Sequence, residues 1–106
     1  MSVIVMLHVD GDPDKMEEYA AANKEKMAGI VERAKGKGLI AHRFYGDDEG
    51  LVVLDEWPDA ESFQSFFEEA QGEIGELSEA AGVTNQPQPR FLRALETHDK
   101  YGWETA

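Results

Sequence analysis

A chain of 106 residues carrying 22 acidic against 10 basic side chains, a formal net charge of -12 and no cysteine has room for one domain with one modest core. Its charge argues against nucleic acid and anionic membrane surfaces as partners, because both are bound by clustered Lys and Arg. The missing thiols exclude disulfides, thiolate catalysis and Cys-ligated metals.

Residues 2–9 (SVIVMLHV) are rich in β-branched side chains and too short for a typical helix, which predicts a strand. Val3, Val5, Leu7 and Val9 fall on one face, Ile4, Met6 and His8 on the other. Both faces are largely apolar, as expected of a central strand covered on both sides. The turn at residues 10–13 leads into a helix, with Asp12 at the N-cap and Pro13 at the first helical position. That helix is expected to run to about Lys35 along a stripe of Met16, Tyr19, Ala20, Asn23, Met27, Ile30, Val31 and Ala34. Arg33 and Lys35 suit its last turn, and Gly36 and Gly38 stop it.

Residues 39–45 predict a second strand, residues 46–50 a polar hairpin loop and residues 51–57 a third strand. Pro58 ends that strand and Asp59 caps a helix whose stripe is Phe63, Phe67 and Ala70, with Phe66 at its edge. Gly72 and Gly75 weaken the pattern, so Ile74, Leu77 and Ala81 are assigned to a separate short helix after a bend. Residues 82–89 form a loop and residues 90–98 a fourth strand. Residues 99–106 form a polar tail carrying Tyr101 and Trp103. The order β-α-β-β-α-β predicts an α+β, ferredoxin-like domain over residues 1–98 with an antiparallel four-stranded sheet. No stretch approaches a membrane span and residues 1–10 lack a basic n-region, so neither membrane insertion nor a signal peptide is expected, and the cytoplasm is the expected compartment.

Residues 54–63 (LDEWPDAESF) place a strand ending in Trp57 before a capped helix that opens on Ala60 and Phe63. This step resembles the dimeric α/β-barrel proteins, particularly their antibiotic-biosynthesis monooxygenase-like branch, and element order, length and the apolar first strand agree along the whole chain. The resemblance implies a homodimer in which two sheets face each other and close a barrel. Helices would cover the outside, with a ligand cleft between helices and sheet in each subunit. A doubly apolar first strand then makes sense, since burying such area contributes about 25 cal/mol per Å². The tail with Tyr101 and Trp103 would lie on the partner. The branch includes cofactor-independent monooxygenases of aromatic compounds and haem-degrading enzymes. The latter take an axial histidine from the second helix, and no His occurs between Asp59 and Ala81 here. No cofactor is therefore expected.

Several residues are candidates for such a cleft. Asn23 is an amide on an apolar stripe, either bonded to backbone or facing a ligand. Tyr19 lies one turn away. Trp57 and Tyr45 are near strand ends and able to stack on an aromatic ligand, and Phe67 is an apolar wall or simply core. His42 and His8 are the candidate bases for a phenolic or α-carbonyl proton, with His98 weaker for its place near the tail. Taken alone, each is more often a structural or surface histidine. The His spacing gives no metal motif, and Asp55 and Glu56, adjacent on a strand, point to opposite faces rather than forming a carboxylate pair. The expected ligand is a small apolar or aromatic molecule. The alternative is a non-catalytic binding module working through acidic residues 47–79, within a stretch from Phe44 to Pro89 that has no Lys or Arg.

Overall fold

A computed structural model describes residues 2–102. The elements are β1 (Val3–Val9), α1 (Pro13–Ala22), α2 (Lys24–Gly36), β2 (Ala41–Asp47), β3 (Gly50–Trp57), α3 (Ala60–Glu69), α4 (Gln71–Ala80) and β4 (Arg90–Leu92). The strands form one sheet in the order β2-β3-β1-β4 with every neighbouring pair antiparallel. This is the ferredoxin-like arrangement expected from the sequence. Among the described residues no helix is long and apolar enough to cross a membrane. Trp103 and its expected contact with a partner lie outside the described residues.

Alternation along β1 sends Val5 and Leu7 into the core, where they meet Ala34, Trp57, Phe63, Phe66 and Ala70. Beside this cluster, Met16, Leu51 and Ala81 form a second one, against which Val9 packs. Ile4, Met6, Val52 and Leu54 point to the other face of the sheet and belong to neither cluster. Asp59 accepts from the Ser62 amide at 2.8 Å and so starts α3. That orientation buries Phe63 and Phe66 and leaves Phe67 half-buried. Ala70, fully buried, is the pivot between α3 and α4.

Three expectations are corrected. The helix expected over residues 13–35 is two helices broken at Asn23 (φ -133°, ψ 45°). Asn23 donates its side-chain amide to the Tyr19 carbonyl at 2.9 Å and its backbone N–H to the Ala20 carbonyl. A short amide side chain competes for these end-of-helix carbonyls, and here it diverts the chain. The hairpin loop is Asp48-Glu49 alone, because the Asp47 carboxylate accepts from both the Glu49 and Gly50 amides and tightens the turn. Gly50 (φ 144°) is required there, since a Cβ at this position would sit 2.1 Å from the Val9 carbonyl oxygen. Finally, β4 ends at Leu92 rather than at residue 98. Leu92 pairs with Ile4, so residues beyond 93 would face positions before Val3, where β1 begins.

Candidate functional site

The tight hairpin sets the register of β2 against β3. Counting outward equally from the Asp47–Gly50 pair places His42 directly opposite Asp55, which is itself opposite Val5 on β1. All three point to the helix side of the sheet. His42 Nδ1 lies 2.6 Å from Asp55 Oδ1. The other carboxylate oxygen, Oδ2, accepts from Trp57 Nε1 at 3.1 Å. Asp55 and Trp57 are two residues apart on one strand and therefore share its face.

The carboxylate is 10% exposed and the His42 side chain 27%. A buried carboxylate needs charged or hydrogen-bonded company, and each Asp55 oxygen has it. Trp57, itself 0% exposed, is held by Phe63 edge-on at 6.0 Å and by Phe66 at 5.6 Å. The His42 ring stands edge-on to Phe44 at 5.2 Å. An ionised carboxylate only accepts, so a neutral imidazole paired with it would carry its proton on Nδ1 and leave the Nε2 lone pair free.

Above this dyad, between sheet and helices, is a cavity of about 130 Å³. Its walls come from every layer of the fold, among them Met27, Ile30, Phe63, Phe67 and Leu77. His42, Asp55 and Ser78 are the only polar residues on its lining among the described residues. Val83 and Pro87 contribute to the lining from the loop before β4. That loop is tied to the end of β1, where the Asp10 carboxylate accepts from the Thr84 amide at 2.7 Å and from the Thr84 hydroxyl. In return the Asn85 side chain accepts from the Asp10 amide at 3.0 Å. The Thr84 hydroxyl and amide hold the Asp10 carboxyl below its ordinary value of 3.8.

The candidates named from the sequence separate into groups. His42 and Phe67 line the cavity. Trp57 lies beside it as the donor that fixes Asp55. Tyr19 and Asn23 do not line it; Asn23 borders an open surface depression at the α1–α2 break. Tyr45, 45% exposed, pairs with Val52, as does His8, so both point away from the cavity on the opposite face. His98 lies in the exposed segment after β4 with φ 66°. His8 instead meets Asp47 and Glu49 at the hairpin end, with ligating atoms within 4.8 Å of one another and all three residues exposed, a grouping the spacing of the histidines does not announce. Asp55 is the cavity-lining partner of His42 that sequence reasoning passed over. Glu56 does point away from it, but the partner of Asp55 is across the strand, and the two-residue hairpin was the signal.

No family model and no curated protein matches this chain. Solved structures do. A conserved protein of Methanosarcina mazei superposes with a TM-score of 0.62 at 19% identity, over 88% of this chain and 92% of that one. A monooxygenase from the gene ActVA-Orf6 of Streptomyces coelicolor, in complex with nanaomycin D, gives 0.60 at 18% identity, over 91% and 88%. A Bordetella bronchiseptica protein named as a candidate antibiotic biosynthesis monooxygenase gives 0.61 at 12% identity, over 90% and 98%. At these identities the likeness is one of fold: the chain is built as the antibiotic biosynthesis monooxygenase-like proteins are, and at that level the resemblance read from residues 54–63 holds.

Proposed function

We propose that the chain is a homodimeric, cofactor-independent monooxygenase of an aromatic, quinol-like small molecule, with His42 as its general base. The observation that carries this reading is the His42–Asp55 pair opening on a cavity that is otherwise almost wholly apolar. A base oriented by a buried carboxylate, with its second nitrogen free, is suited to take a phenolic proton.

The chemistry balances without an added reductant. His42 removes the O–H proton, and the resulting anion is electron-rich enough to transfer an electron to O2. The radical pair joins through a new C–O bond at a ring carbon bearing hydrogen. The peroxide takes the proton back from imidazolium, and loss of that ring hydrogen with cleavage of the O–O bond leaves a quinone and one water. One phenol and one O2 thus become one quinone and one H2O. The apolar walls keep bulk water from the anion and the peroxide.

The acidic binding-module reading has less support. Three acids of the 47–79 stretch face basic residues of this same chain: Glu73 meets Arg33, Glu69 meets Lys37 at 3.0 Å, and Glu76 meets Lys26 at 3.0 Å. They neutralise the neighbouring α2 rather than waiting for a partner. The homodimer is supported by the apolar outer face of the sheet, where Ile4, Met6, Val52 and Leu54 are only half-buried in the single chain.

Oxygen uptake tests the reading. Purified protein is mixed with a panel of phenols and hydroquinones, and quinone formation is followed beside O2 loss. One O2 per quinone with wild type, and a loss of about 10²-fold or more in His42→Gln, are expected. Uptake unchanged by that substitution, or no turnover across the panel, sinks the proposal.

A further inference from the structure

We infer that this cavity selects a single-ring phenol or hydroquinone and discriminates against fused-ring analogues. The inference rests on reading the cavity as the substrate site, and it narrows the substrate class within that reading.

Size comes first. The cavity measures about 130 Å³. An engineered apolar cavity of about 150 Å³ lined by Leu, Ile and Phe holds benzene. One six-membered ring is therefore the natural occupant, and a second fused ring has no space unless the walls move.

Most of the walls are held in place. Phe63 and Phe67 lie 5.5 Å apart. Phe63 is fixed from behind by Trp57 and from the side by Phe91 at 6.0 Å. Where the helices come closest to these rings, Ala34 and Ala70 are 3% and 0% exposed, so tight packing there leaves no slack. Val83 also lines the cavity, and its loop is latched to Asp10 through Thr84. Met27 is the compliant part of the lining. It accommodates a ring substituent more readily than a whole ring.

Polarity comes second. With so few polar groups on the lining, a ligand bearing one ionisable hydroxyl matches it, and a ligand with several polar substituents leaves some of them unpaired. The hydroxyl goes to His42 Nε2 and the ring lies among the aliphatic and aromatic side chains.

Binding is measured by equilibrium absorbance titration with two matched probes, 4-nitrophenol and 4-nitro-1-naphthol. Their nitro groups withdraw electron density and make them poor partners for O2, while their colour reports ionisation. Wild type is expected to bind 4-nitrophenol as its anion, and to bind the naphthol roughly tenfold or more weakly. Phe67→Ala, which removes a wall, should narrow that gap. Leu77→Ala serves as a second enlarging variant, with circular dichroism checking both for folding. His42→Gln should abolish the colour change of bound 4-nitrophenol.

Equal affinity of wild type for the two probes, or binding of neither, overturns the size assignment. The two proposals fail separately. A protein that prefers the single-ring probe but oxidises no hydroquinone keeps this inference and loses the oxygenase. One that oxidises one-ring and two-ring hydroquinones equally well keeps the oxygenase and loses this inference.

Discussion

His42 and Asp55 stand directly across from each other on β2 and β3, and one carboxylate oxygen of Asp55 reaches His42 Nδ1 at 2.6 Å. Trp57 holds the other oxygen, so the carboxylate cannot rotate without breaking a buried hydrogen bond. Asp55→Asn keeps the shape but offers an N–H to Nδ1, which moves the ring proton to Nε2 and blocks the proposed base. The expected result is a kcat lower by about 10²-fold or more with KM little changed. Steady-state oxygen uptake separates the two constants. An Asp55→Asn enzyme with wild-type kcat would remove Asp55 from the mechanism as a positioning residue.

Hydrophobic patterning made the sheet readable: Val5 and Leu7 on one face of β1 and Met6 on the other are where alternation puts them. The cap at Asp59 and the bend before α4 were also legible, because capping and glycine chemistry are local. What was not legible depends on pairing across the chain. The His42–Asp55 contact needs the register, and the register needs a hairpin of two residues rather than five. Asn23 sat well on a helical stripe, yet its amide competes for the Tyr19 carbonyl, a contest that periodicity does not score. The length of β4 was set by where β1 begins, not by residues 93–98 themselves.

The latch between Asp10 and the loop that carries Val83 should respond to acid. The Thr84 hydroxyl and amide favour the ionised form of Asp10, so its folded value is depressed below 3.8. A depressed carboxylate contributes stability above its unfolded value and loses it as pH falls through the folded one. Thr84→Val removes the hydroxyl bond. Its melting temperature should lie below that of wild type at neutral pH, and the gap should close as pH drops below 3.8. Melting curves across that range check the sign. A gap of constant size would mean that the loss comes from packing rather than from the Asp10 charge.

Gly50→Ala should destabilise the protein sharply. Its φ of 144° lies where L side chains carry strain of about 1–3 kcal/mol. The added Cβ would also meet the Val9 carbonyl oxygen, a ladder atom with no room to move. Urea denaturation should show a lower midpoint with a similar slope. The same turn sets the His42–Asp55 register, so activity should fall further than the population of folded protein accounts for. A variant as stable as wild type would disprove the close approach of β3 to β1 at this point.

The outer face of the sheet supplies the last prediction. Leu54 has Met6 and Arg43 as its cross-strand neighbours and lies outside both core clusters. In the single chain Leu54 is half-buried, so a charge at this position still reaches water. In a dimer closed by two facing sheets the same charge loses its water and has only Arg43 across the strand to pair with, and desolvating such a pair costs more than the apolar contact it replaces. Leu54→Glu should therefore leave the far-ultraviolet circular dichroism of the monomer intact while splitting the dimer. Light scattering behind a sizing column reads both masses. A wild-type mass of one chain would defeat the dimer proposal at once. A Leu54→Glu protein that keeps a dimer mass would instead move the interface off this face, and the apolar run of Ile4, Met6, Val52 and Leu54 would then need a different cover.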